Sequence, residues 1–154
     1  MRLSAYFRIA ELVRSDTAWR LAIPNRPPIR VLGNLLRLAR GLDRIRRLLG
    51  HRLEISSGYR SPALNRQVGG SPRSRHQAGL AADFVCRPYG TPYRICARLM
   101  RARVPFDQLI YEYGDDADGG WVHVGFDNRA RRRTLTIRSG NRRYRPGIQP
   151  CLRR

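Results

Sequence analysis

The sequence predicts an α+β domain in which an antiparallel sheet is flanked by helices, and three observations predict it. Apolar residues between positions 31 and 49 recur every three or four residues, the period of one long amphipathic helix. Short alternating segments later in the chain read as strands, and they follow one another without the strand–helix–strand rhythm of a parallel sheet. The 154 residues hold no internal repeat and no low-complexity linker, so a single domain over 1–154 is expected.

Residues 6–23 mix short apolar groups with polar ones and are expected to form a strand or one short helix before the turn-rich Pro24-Asn25-Arg26-Pro27-Pro28. Val31, Leu35, Leu38, Leu42, Ile45 and Leu49 then make one helical stripe, stopped by Gly50. Residues 52–56 alternate as a strand, and Ser61 followed by Pro62 caps a short helix. Gly69-Gly70-Ser71-Pro72 breaks the chain before His76 and a strand at 82–85. Thr91-Pro92 opens another helix, which must end before Val104-Pro105. Residues 108–113 and 121–126 read as an antiparallel hairpin, and 133–138 with 142–145 as a second one, within a basic C-terminal stretch over 128–154.

Thirty-one basic residues, every one an arginine, face 11 acidic ones and give a formal charge of +20. The charge is uneven: residues 1–82 carry +12, residues 83–127 carry −2, and residues 128–154 carry +10. Such flanks suit polyanionic surroundings, while the acid-rich centre suits positive ligands such as a metal ion. Nucleic-acid binding rests on charge alone, since no recognition motif or interleaved aromatic series accompanies it. Cys86, Cys96 and Cys151 are too few and too odd for a disulfide scaffold and read as buried or incidental thiols. No 18-residue apolar run occurs, and Arg8, Glu11, Arg14 and Asp16 interrupt the N-terminal region. Neither a membrane span nor a secretory leader is expected, so synthesis in the cytoplasm is.

Two of the three histidines stand in specific surroundings. Ser74-Arg75-His76-Gln77-Ala78-Gly79-Leu80-Ala81-Ala82-Asp83 contains S-x-H-x-x-G-x-A-x-D, and Trp121-Val122-His123-Val124 puts a second imidazole on a strand. Imidazole and carboxylate donors suit zinc, and three protein ligands leave a fourth position open, the arrangement of a hydrolytic site. His51 lies outside any such pattern and reads as a solvated loop histidine.

Together with Ser57-Gly58-Tyr59-Arg60-Ser61, Asn65 and Gly69-Gly70, these motifs span 55–126. In that order and spacing the chain resembles the zinc D-Ala-D-Ala carboxypeptidase family of peptidoglycan peptidases, which shares its fold with the Hedgehog signalling domain. The resemblance implies one zinc per chain held by His76, Asp83 and His123. It implies hydrolysis of an amide bond in peptidoglycan stem peptides, either removing the terminal D-Ala or, as in related phage endolysins, cutting between L-Ala and D-Glu. It also implies a monomeric phage endolysin-like protein that reaches the wall after release, where its arginine flanks would meet anionic envelope polymers. Arg60 falls on the substrate-binding wall, where its planar fork suits a substrate carboxylate, and Ser74 is placed to hydrogen-bond substrate.

A peptidase of this kind also needs a general base. Many relatives carry an acid three positions before the last histidine, but that position here is Gly120. Glu112, Asp115, Asp116 and Asp118 remain nearby. Strand alternation puts Trp121, His123 and Gly125 on one face, and Gln108, Ile110 and Glu112 apart from Leu109, Tyr111 and Tyr113. If the apolar sets share the core face, Glu112 shares the face of His123 and is the favoured base, with Asp118 second. The glycine at 120 also leaves open a non-catalytic wall-binding or virion protein with a residual zinc site.

Overall fold

The 31–49 stripe forms the longest helix of the computed structural model, which describes residues 1–115 and 119–151. In this helix, α3 (Ile29–Leu49), Leu35, Leu38, Leu42 and Ile45 are completely buried, and Gly50 ends it in the left-handed conformation at φ 72°. Ahead of it the chain makes two helices rather than a strand or a single helix: α1 (Ile9–Val13) and α2 (Asp16–Arg20). Ser15 restarts the helix because its side chain accepts the Ala18 N–H at 3.2 Å.

After β1 (Glu54–Ser57), α4 (Pro62–Gln67) begins with Pro62 behind the Ser61 cap, as its sequence signal indicates. Then come β2 (Ala81–Val85) and α5 (Pro92–Arg101), where Thr91 caps the helix through the Arg94 N–H. The chain closes with β3 (Gln108–Glu112), β4 (Trp121–Gly125), β5 (Arg133–Arg138) and β6 (Asn141–Pro146).

All six strands join one sheet in the order β1-β2-β4-β3-β5-β6. Both expected hairpins form, β3–β4 and β5–β6. Four of the five strand pairings are antiparallel, as expected, but β3 and β5 run parallel, so the sheet is mixed rather than wholly antiparallel. The segment between β4 and β5 crosses under the start of β3 and is fastened there. Asp107 N–H donates to Gly125 O, the Arg133 N–H donates to Asp107 O, and Arg131 grips the Asp107 carboxylate at 2.6 and 2.7 Å. The returning chain therefore enters on the far edge of β3, running in the same direction.

One sheet face packs on α3 and α5. Phe84, Leu109, Tyr111, Val122 and Val124 are buried there with Leu42, Ile95 and Leu99. Leu42→Ala should cost about 2–5 kcal/mol at such a closely packed position, read as a fall in the urea midpoint. The opposite face of the sheet carries the polar site.

Cys86 and Cys96 are buried free thiols, and His51 is exposed, as their sequence contexts suggested. No helix among the described residues is long and apolar enough to cross a membrane.

Candidate metal centre

β2 and β4 pair so that Asp83 stands directly opposite His123, which puts both side chains on the same face. His76 precedes β2 and is folded back over them by a reciprocal link to 58–60. Its Nδ1 lies 2.7 Å from Gly58 O, and its own carbonyl accepts the Arg60 N–H. Facing a carbonyl, Nδ1 must carry the proton, which leaves the Nε2 lone pair for a ligand. Gly79 makes the turn possible: its φ is 68°, and a Cβ there would press on Val31 and Leu35 of α3.

The three side chains converge. Asp83 Oδ1 is 2.8 Å from His123 Nδ1 and 3.2 Å from His76 Nε2, and the two imidazole nitrogens are 3.2 Å apart. Donors around a tetrahedral zinc lie about 3.3–3.6 Å apart, given bonds of roughly 2.0–2.2 Å, so two imidazoles and one carboxylate at this spacing fit the ion. This is the group of metal-capable side chains found among the described residues, and all three are buried.

The electrostatics of His76 and Asp83 suit ligation. Burial, the largest influence, pulls the His76 pKa down and favours the neutral imidazole. Burial alone would raise the Asp83 pKa, but the charges of His76 and His123 and the hydrogen bonds from both hold it well below the usual carboxylate range. At His123 burial also acts downward, yet the Asp83 hydrogen bond and the charges of Asp83 and Glu112 outweigh it and the net shift is upward.

Glu112 lies on the same face, in a pocket of about 740 Å³ that also includes Arg60, Ser74, His76, Asp83 and His123. The β3–β4 register runs without a bulge from Gln108 to Glu112, setting Ile110 against His123 and Glu112 against Trp121. The Trp121 indole N–H donates to Glu112 Oε2 at 2.8 Å. The place of Trp121 opposite Glu112 in the hairpin register is the sequence signal for this contact. Burial raises the Glu112 pKa, assisted by the Asp83 charge and opposed by His123 and the indole hydrogen bond. Tyr113 departs from the expected alternation. It leaves the strand at φ 55° and its ring sits 4.9 Å from that of Trp121, at the pocket rather than in the core.

The other expected residues fall as follows. Arg60 lines the pocket, but its Nη2 donates to Asp83 Oδ2 at 2.7 Å and its Nε to Ser57 Oγ at 2.8 Å. It thus orients a carboxylate of the candidate metal cluster, a contact the motif does not reveal. Ser74 Oγ accepts the His76 N–H at 3.3 Å, and its hydroxyl hydrogen meets no acceptor among the described residues. Asn65 holds the loop before the site by donating to Gly70 O and Ser71 O. Asp115 accepts the Ser139 N–H, outside the pocket, while Asp116 and Asp118 lie outside the described residues.

Gly120 cannot simply exchange places with an acid. Its φ is 77°, and a Cβ would collide with the Glu112 carbonyl oxygen and the Gly114 nitrogen. Gly120→Asp should therefore lower stability by at least about 2 kcal/mol without raising activity, as read by thermal unfolding beside a peptidase assay.

With this geometry in place, comparison with known families is decisive. The model of peptidase M15 matches residues 5–125. The chain belongs to the peptidase M15 family. M15 peptidases are zinc-dependent metallopeptidases, in keeping with the buried His76-Asp83-His123 cluster. The M15 match takes in α1 to β4, a longer stretch than the 55–126 motifs, and stops before β5 and β6. No curated protein matches the chain.

Proposed function

We propose that the protein is a zinc peptidase that hydrolyses an amide bond in peptidoglycan stem peptides, with Glu112 as general base. The observation that carries this reading is one carboxylate beside three convergent metal donors, in one pocket and on one sheet face. Bound to His76, Asp83 and His123, zinc would act as a Lewis acid on the scissile carbonyl and make an attacking water more acidic.

The remaining steps belong to the chain's own side chains. Glu112 accepts the proton of the attacking water and returns it to the leaving amine nitrogen; its raised pKa suits both transfers. Trp121 fixes the carboxylate during that exchange. Arg60 and Ser57 hold Asp83 with Oδ1 turned to the imidazoles. The Arg60 Nη1 has no hydrogen-bond partner among the described residues and is the part of the fork left for a substrate carboxylate. The Ser74 hydroxyl is free to donate to a substrate carbonyl.

A carboxylate at Glu112 supplies what Gly120 lacks, and it favours the enzyme over a non-catalytic wall-binding protein. Removal of terminal D-Ala is the first reaction proposed, with cleavage between L-Ala and D-Glu as the alternative. Mass spectrometry of purified muropeptides after digestion separates them: loss of one alanine marks the carboxypeptidase, and release of the stem marks the endopeptidase. Unaltered muropeptides in the presence of zinc-loaded protein would refute both. Action at the cell wall after release from the cytoplasm, as a phage endolysin-like monomer drawn to anionic polymers, belongs to the same proposal.

A further inference from the structure

One wall of the pocket comes from β5 and β6, beyond the family match: Arg133, Leu135 and Tyr144. Five arginines line the pocket, and three of them are already committed. Arg60 pairs with Asp83 at 2.7 Å, Arg75 with Asp127 at 2.8 Å, and Arg131 with Asp107 at 2.6 Å. The side chains of Arg73 and Arg133 have no acidic partner among the described residues. Arg73 sits on the loop after Ser71, whereas Arg133 is the first residue of a strand hydrogen-bonded into the sheet, so its position is fixed.

The register says where Arg133 stands. Across the site face one row reads His123, Ile110, Leu135, and the next reads Gly125, Gln108, Arg133. Ile110 and Leu135 pack with Ile137 as a small apolar cluster separate from the main core. Next to the metal donors the floor is therefore aliphatic, and a guanidinium follows at its end. Gly125 has no side chain to interrupt the track, and a Cβ there would meet only ordinary contacts, the nearest at 3.7 Å. With strands ~4.8 Å apart and a rise of ~3.4 Å per residue, the Cα atoms of His123 and Arg133 are ~12 Å apart. An extended peptide advances ~3.3 Å per residue, so Arg133 faces a substrate residue within about four of the scissile carbonyl.

We propose that the β5–β6 hairpin builds a specificity subsite in which Arg133 binds a free carboxylate of the substrate remote from the scissile bond, while Ile110 and Leu135 floor a small aliphatic side chain. The inference rests on the peptidase reading of the same pocket and adds the substrate class: acidic, non-amidated stem peptides. Two groups share this chemistry, the α-carboxylate of an isoglutamyl residue and the side-chain carboxylate of a diamino acid such as diaminopimelate.

Three synthetic stem peptides test it: one fully acidic, one amidated at the isoglutamyl carboxylate, and one amidated at the diamino acid. Their binding is measured by calorimetry to the Glu112→Gln protein supplied with zinc, with and without Arg133→Gln. The Arg133 side chain makes no hydrogen bond or ion pair among the described residues, so the substitution leaves the fold in place. The fully acidic peptide should bind about tenfold tighter than one of the amidated forms, the low end for a charge-assisted hydrogen bond, and the form that loses affinity identifies the carboxylate. Arg133→Gln should erase that difference and leave binding of the discriminated amide within about twofold. Equal binding of all three, an equal loss for all three in Arg133→Gln, or no binding overturns the subsite. Hydrolysis by the unmodified protein judges the peptidase reading separately. Arg133-dependent binding without cleavage removes the enzyme and keeps the subsite; cleavage without Arg133-dependent discrimination does the reverse.

Discussion

Glu112→Gln should lower kcat on a stem peptide by about 10²–10⁴-fold, the range for loss of a positioned general base, while the protein keeps one zinc per chain. Glutamine is nearly isosteric, and its amide oxygen can still accept the Trp121 indole hydrogen bond that holds the wild-type carboxylate at 2.8 Å. The substitution therefore removes the proton acceptor and little else. Parallel metal analysis and steady-state kinetics check the two halves of this expectation. Full activity in Glu112→Gln would exclude it as base and move the test to Asp118, the second sequence candidate.

The three residues of the candidate metal cluster should give the other large effect. His76→Ala, Asp83→Ala and His123→Ala should each bring zinc content from one per chain towards zero and turnover to background. The three donors form a single cluster with separations of 2.8–3.2 Å, and no other group of metal-capable side chains occurs among the described residues. Asp83→Ala carries an added cost. It strips the partner from Arg60, whose side chain is 18% exposed, and leaves a largely buried guanidinium short of an acceptor. Asp83→Asn keeps an oxygen for Arg60 and separates loss of metal affinity from loss of stability. Elemental analysis of each purified variant, with thermal unfolding alongside, checks both.

Much of this was readable from local signals. The stripe from Val31 to Leu49, the Ser61-Pro62 and Thr91-Pro92 starts and the Gly50 stop depend on neighbours in sequence, and they form as read. Glu112 reaches the face of His123 because strand alternation is strict and the β3–β4 register has no bulge. The site residues came from ordered motifs, since Asp83 and His123 are 40 positions apart and only pairing of β2 with β4 brings them together.

What escaped the sequence is non-local. The parallel β3–β5 pair depends on a crossing fastened by Asp107 and Arg131, 24 residues apart, which no periodicity reports. One guanidinium among 31 arginines gives no sign that it will meet the Asp83 carboxylate, so the Arg60–Asp83 contact was invisible. The break between α1 and α2 did have a signal, since Ser15-Asp16 is a helix start, but the apolar residues on either side obscured it. The +20 charge sharpens in the same way. Three of the pocket's arginines are paired with Asp83, Asp107 and Asp127, all in the acid-rich 83–127 stretch.

The most direct test follows a defined stem peptide by mass spectrometry with the protein as purified, after its metal is stripped by a chelator, and after zinc is restored. Cleavage of one amide bond should disappear on stripping and return with one equivalent of zinc. Cleavage that survives stripping, or an intact peptide in the presence of protein carrying one zinc per chain, would contradict a zinc peptidase built on His76, Asp83 and His123.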